Sequence, residues 1–186
     1  MPQLDNLRVA VIATDGVEQA ELTEPVKALR EAGAKTDLLS TKPGQIQAFH
    51  HDTKADTFPV DNTLDQANPG QYDALLLPGG ALNADHLRME PDVQSFIKQI
   101  NGAGKPVAAI CHAPWELISS DLARGRTMTS YFTIQDDVKN AGGTWVDREV
   151  VVDGNLVTSR KPSDIPAFNR EMINLFSLAR DRQPVG

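Results

Sequence analysis

The stretch KPVAAICHAPWEL, residues 105–117, holds the one cysteine of the chain, Cys111, and sets His112 directly after it. An apolar run ends at Ile110, the thiol follows, and Pro114 opens what reads as a helix. This is the pattern of a nucleophile elbow, in which a sharp strand-to-helix turn exposes a reactive side chain and small residues two places either side relieve the crowding. Ala109 and Ala113 occupy those places. A helix N-terminus beside a thiol lowers its pKa from about 8.5 and favours the thiolate. Spacing alone leaves a second reading open, since a free cysteine is also a small residue that packs well in a core.

Two further stretches carry groups that such a thiol would need. YDALLLPGGALNADHLR places Gly79 and Gly80 after an apolar run, where backbone N–H groups can face a developing oxyanion; a plain glycine turn has the same composition. ATDGVEQAELTEP puts Glu18 after the first apolar run. A carboxyl buried there beside Cys111 would have a raised pKa and, protonated, would donate to the sulfur. His112 is the nearest base, although neighbouring side chains of a regular element diverge, which counts against its reaching Cys111 within its own elbow. His50 and His51 lie in a polar segment that either caps the site or faces water, and His86 follows Asp85. No spaced set of Cys, His and carboxylates suggests a metal, and no cofactor is called for.

Parallel strands carry these stretches. Arg8–Thr14, Thr36–Ser40, Ala74–Leu77 and Pro106–Ile110 are short apolar runs rich in branched residues, the mark of strands buried on both faces. Between them, Val93, Phe96, Ile97 and Ile100 recur at helical spacing behind Pro91, and Ile165, Phe168, Met172, Leu175 and Phe176 line one face of a last helix. The alternation predicts an α/β doubly wound sandwich, a mainly parallel sheet with helices on both faces. VVVDGNLVTS, residues 150–159, adds an antiparallel hairpin around Asp153-Gly154, and residues 45–68 read as a small hairpin or flap. The 186 residues are expected to form one domain, 1–186.

Composition excludes several classes. Apolar residues at 40% and charged residues at 23% are globular usage. A net charge of −7 disfavours nucleic acid and anionic membrane as partners. The first apolar run is too brief for a signal segment or a membrane span, and a single cysteine closes no intrachain disulfide, so a cytoplasmic setting is expected.

With these motifs in view, the sequence resembles the PfpI family of the DJ-1/PfpI superfamily, the class I glutamine-amidotransferase-like group. The marks are DGVEQAEL, LLLPGG, AAICHAPWEL and the tail TSYFTIQDDVKNAGGTWVDREVVVDGNLVTSRKPSDIPAF. The resemblance implies a flavodoxin-like fold, Cys111 as nucleophile, Glu18 as its acid partner, His112 as base, and Gly80 with the His112 backbone as oxyanion donors. It further implies a homodimer or higher homo-oligomer, with Asp85 supplied to His112 by a neighbouring subunit. Many relatives carry glycine where this chain has Ala113. The implied activity is a stress-associated cysteine hydrolase acting on aldehyde adducts of the glyoxal and methylglyoxal kind, or on peptides. The competing class is a non-enzymatic redox sensor or chaperone-like stress protein using an oxidisable Cys111.

Overall fold

The computed structural model describes residues 3–182. In chain order its strands are Arg8–Ile12 (β1), Val17–Glu18 (β2), Lys35–Ser40 (β3), Gln45–His50 (β4), Thr53–Pro59 (β5), Asn62–Thr63 (β6), Ala74–Leu77 (β7), Val107–Ile110 (β8), Thr127–Met128 (β9), Thr144–Trp145 (β10), Val151–Asp153 (β11) and Leu156–Ser159 (β12). The helices are Gln19–Glu31 (α1), Ala81–Leu87 (α2), Pro91–Gly102 (α3), Pro114–Ser119 (α4), Gln135–Asn140 (α5) and Ile165–Asp181 (α6). The four runs read as strands are β1, β3, β7 and β8, each ending within two residues of its expected limit.

The central sheet runs β11-β12-β8-β7-β1-β3-β6. All its pairings are parallel except β11 on β12, the hairpin expected around Asp153-Gly154. The chain steps from β1 to β3 on one side and returns to β7 on the other, so the order reverses at β1. In open parallel sheets this reversal opens a crevice at the carboxyl ends of the strands. The ends of β1, β7 and β8 meet there.

Alternation along each strand sends side chains to two cores. Val9, Val11, Leu76, Ala108 and Ile110 pack with Leu22 and Leu29 of α1 and with Phe168, Met172 and Phe176 of α6. Ala10, Ile12, Leu75, Leu77, Val107 and Ala109 face Val93, Phe96, Ile97 and Ile100 of α3 and Leu117 of α4. Each leucine or phenylalanine so buried contributes about 1.5–3 kcal/mol, which fixes the strand ends against helices on both sides. The fold is the doubly wound α/β sandwich that the pattern predicts.

The polar segment after β3 forms the hairpin β4–β5, whose first strand pairs in parallel with the two residues of β2. It is pinned to α1 by a side-chain amide. Gln19 Nε2 donates to Asp56 Oδ2 at 2.9 Å, and the Asp56 N–H donates to Gln19 Oε1 at 2.8 Å. The tip at His51 has φ +57, the left-handed turn that joins the two strands.

One buried acid lies away from the strand ends. Glu116 in α4 is fully buried, and neither carboxyl oxygen has a hydrogen-bond partner among the described residues. Burial pushes its pKa well above the ordinary 4.5, so it is carried as a neutral acid. The folded chain therefore holds a proton that the unfolded chain releases near pH 4.5, and stability falls as pH rises from there toward the folded pKa. Glu116→Leu is expected to raise stability at pH 7 by about 1–3 kcal/mol, the cost of an unsatisfied buried polar group. Urea denaturation at pH 4.5 and 7 measures it, and the gain should be smaller at the lower pH.

Candidate active site

Cys111 follows β8 directly and sits at φ +66, a left-handed conformation that a non-glycine residue holds only when its surroundings fix it. Its N–H donates to the Ser159 carbonyl at 3.0 Å and its own carbonyl accepts from the Tyr131 N–H at 2.7 Å, so backbone bonds on both sides hold the turn. The turn has a chemical result. With the backbone reversed, His112 swings alongside its neighbour and Nδ1 lies 3.2 Å from the Cys111 sulfur. The divergence expected of adjacent side chains in a regular element is removed by the elbow itself. His112 is then held flat by Tyr131, with ring centroids 4.7 Å apart, and edge-on by Trp115 at 5.3 Å.

The glycine pair comes within reach of the thiol for a steric reason. A Cβ on Gly79 would overlap both Glu21 Oε1 and Cys111 Cβ, and one on Gly80, whose φ is +99, would overlap the Gly16 carbonyl. The backbone can thus lie against the thiol only with hydrogen at both positions. Buried Asn83 fixes the loop: its Oδ1 accepts from the Thr14 N–H at 2.8 Å, and its Nδ2 donates to the carbonyls of Pro78 and Gly79 at 3.1 and 3.2 Å. The backbone N–H groups of Gly80 and His112 lie beside the Cys111 sulfur and pull its pKa down. These are the donors that a developing oxyanion beside the sulfur would meet.

The carboxyl at the thiol is Glu21. The expected partner, Glu18, ends β2 and lines the same pocket, but its Oε2 accepts from the His51 N–H at 3.1 Å. Three residues farther on, inside α1, the helical turn directs Glu21 into the core with Leu22, Pro25 and Leu29, and it is fully buried. Burial, with the negative charge of Glu18 next, raises the Glu21 pKa to about 8. It is therefore protonated at neutral pH and able to donate to the sulfur it faces. Neither oxygen completes a hydrogen bond among the described residues, so the acid proton is free to turn to the sulfur. The thiol is not depressed by the six-residue α4, as the helix-start reading expects. Burial pushes it up, and Glu21 adds to this once it has lost its own proton above about 8, while the Gly80 and His112 N–H groups pull it down. Cys111 and Glu21 titrate as a pair, and the thiolate is best held when Glu21 keeps its proton. Burial lowers the His112 pKa, leaving the imidazole neutral and able to take a proton.

These groups surround a pocket of about 170 Å³ lined by Gly16, Glu18, Glu21, His51, Gly80, Ala81, Leu82, Cys111, His112, Tyr131 and Pro162. Cys111 is 7% exposed and faces it. A larger groove of about 430 Å³ between α1 and β5 is lined by no cysteine or histidine. Asp85 and His86 are exposed on α2, outside the pocket lining, and His50 is exposed at the end of β4. Among the described residues no group of three or more His, Cys, Asp or Glu is placed to hold a metal ion, and no helix is long and apolar enough to cross a membrane. Sequence reasoning missed Glu21, Asn83 and Tyr131. Only Glu21 carries a signal, a carboxyl on the helix stripe otherwise built by Leu22, Pro25 and Leu29.

Residues 7–175 match the model of the DJ-1/PfpI family. The chain belongs to that family. Protein/nucleic acid deglycase 2 of Escherichia coli is 43% identical over 169 residues, covering 90% of this chain and 96% of that protein. General stress protein 18 of Bacillus subtilis is also 43% identical over 169 residues, with the same coverage of both chains. Among solved structures, a two-domain protein of Anabaena variabilis containing DJ-1/ThiJ/PfpI-like and ferritin-like domains aligns with a TM-score of 0.85 and 32% identity, over 91% of this chain and 48% of that one. The family's flavodoxin-like architecture is the one described above, with its crevice at the Cys111 elbow.

The buried carboxyl of this DJ-1/PfpI site is placed to act on the thiol. Glu21→Leu removes the donor facing the sulfur, and a hydrogen bond to a charged group contributes about 1.5–3 kcal/mol. Alkylation of Cys111 by iodoacetamide at pH 7 should slow by roughly tenfold or more. An unchanged rate would mean that the thiolate does not use Glu21.

Proposed function

We propose that the chain is a stress-associated, cysteine-dependent hydrolase of reactive-carbonyl adducts, with Cys111 as nucleophile, His112 as proton acceptor and donor, Glu21 as the acid beside the sulfur, and the Gly80 and His112 N–H groups as oxyanion donors. One observation carries this reading: the sulfur, a neutral imidazole 3.2 Å away and a protonated buried carboxyl all face one pocket of about 170 Å³. The names of the relatives, a deglycase and a general stress protein, support it.

On a hemiaminal formed between an amine and an α-oxoaldehyde, the sulfur–carbon bond forms as the carbon–nitrogen bond breaks, and the amine leaves with a proton from His112 or Glu21. On a free aldehyde the same sulfur adds to the carbonyl carbon and the displaced electron pair takes a proton on oxygen. Both give a hemithioacetal. His112 then removes the proton on that carbon, and its return to the adjacent carbonyl carbon yields a thioester, one carbon being oxidised as its neighbour is reduced, so no external oxidant enters. Water releases a hydroxy acid and restores the thiol. The size of the pocket and its cover by the hairpin tip at His51 favour a two- or three-carbon carbonyl over an extended peptide, which would need an open groove.

The exposed position of Asp85 on α2, the helix whose Ala81 and Leu82 line the pocket, supports a homo-oligomer in which Asp85 of the partner subunit approaches His112. Purified protein mixed with methylglyoxal should complete many turnovers, and Cys111→Ala should complete none. Absence of turnover by the wild type would sink the hydrolase reading. Asp85→Asn should lower turnover by roughly tenfold or more through loss of the base's orienting partner, while a monomer of full activity, seen by light scattering, would remove Asp85 from the site.

A further inference from the structure

The pocket that holds Cys111 has an uneven charge. Its lining residues include two carboxylic acids, Glu18 and Glu21, and no lysine or arginine. Glu21 is buried and neutral, whereas Glu18 is half-buried and its negative charge is felt by Glu21. Glu18 is also held in place. It closes the two-residue strand β2, paired to β4, and the His51 N–H at the hairpin tip donates to its Oε2 at 3.1 Å. The mouth thus carries a fixed negative charge, anchored by backbone on two elements, that takes no part in the proton transfers assigned to Cys111, His112 and Glu21.

We propose that Glu18 makes access to Cys111 charge-selective: carbonyl compounds that are neutral or carry a cation, such as adducts on amino and guanidino groups, are admitted, whereas those carrying a carboxylate are turned away. The same field drives out an acid product formed inside. A volume of about 170 Å³ forces any occupant close to the lining. At a separation of roughly 7 Å and an intermediate effective dielectric, the repulsion between two unit negative charges is worth about tenfold in occupancy. The amino or guanidino nitrogen of an adduct would meet Glu18 while its carbonyl carbon lies at the sulfur. The substrate class rests on the carbonyl-adduct reading above; the selectivity of the mouth does not.

Two alkylating agents of nearly equal size separate these parts. Iodoacetamide is neutral and iodoacetate anionic, and both lose iodide to the same Cys111 thiolate, so their rate ratio cancels any change in the thiolate fraction. With rates normalised to free cysteine at the same pH, the wild-type protein should favour iodoacetamide by about tenfold. Glu18→Gln keeps an oxygen to accept the His51 N–H but removes the charge, and it should reduce that preference by at least threefold. In the wild type, raising the salt from 0.02 to 0.5 M should narrow the ratio by screening. A ratio that ignores salt, or one unchanged in folded Glu18→Gln, overturns the proposal; the salt series needs no variant. Turnover of methylglyoxal against glyoxylate is the second arm. If the alkylation ratio shifts but no carbonyl compound turns over, the charge-selective mouth stands and the carbonyl-adduct reading fails. If methylglyoxal turns over but the ratio does not shift, the reverse holds.

Discussion

The crowding at Gly79 governs the rest of the site. The backbone there lies between the Glu21 carboxyl and Cys111, so close that one added carbon would overlap both. Three chain segments from three strand ends therefore share a volume that admits no other arrangement. The elbow after β8 presents the sulfur, the loop after β7 presents its N–H, and α1, following β1 and β2, delivers a carboxyl. Because the strands are locked between two apolar layers, the positive φ of Cys111 has nowhere to relax.

Electrostatics follow from this packing. A carboxyl driven into an apolar core keeps its proton, and one that keeps its proton can face a thiolate without repelling it. Glu18, three residues earlier and half-buried, is turned to the pocket mouth and remains a charge. The difference between the two glutamates is one of solvent. It divides them into a proton holder within and a field at the entrance. Burial likewise keeps His112 neutral, so the imidazole beside the sulfur is ready to accept rather than only to donate.

The buried polar groups are unequal in what they contribute. Asn83 satisfies both ends of its amide and ties the loop after β1 to the glycine loop, so its burial is offset by three hydrogen bonds. Glu116, in the helix that follows the elbow, makes none and lowers stability at neutral pH. A family fold with a well-packed double core tolerates such a residue because stability is a sum over many contacts.

The sequence by itself determined the architecture and marked Cys111 as the candidate nucleophile. Short apolar runs at Arg8, Ala74 and Pro106 read as strands covered on both faces, and the run at Thr36, though half-buried with Asp37 in it, joins the same parallel sheet. Cys111 stood out because its place between a strand and a proline-headed helix was matched by a glycine pair and a carboxyl at two other strand ends, although spacing alone also fitted a packed core cysteine. Tertiary structure alone decided which acid serves it. Glu18 and Glu21 are the same residue type one helical turn apart, and the local sequence does not say where β2 ends and α1 begins; that boundary depends on β2 pairing with the distant β4. The same holds for His112, whose approach to the sulfur depends on a positive φ imposed by the Ser159 carbonyl and the Tyr131 N–H, groups brought to the elbow by strand pairing and loop packing rather than by their place in the chain. Periodicity reports how a segment meets solvent, but a site is built by what several segments do to one another once packed.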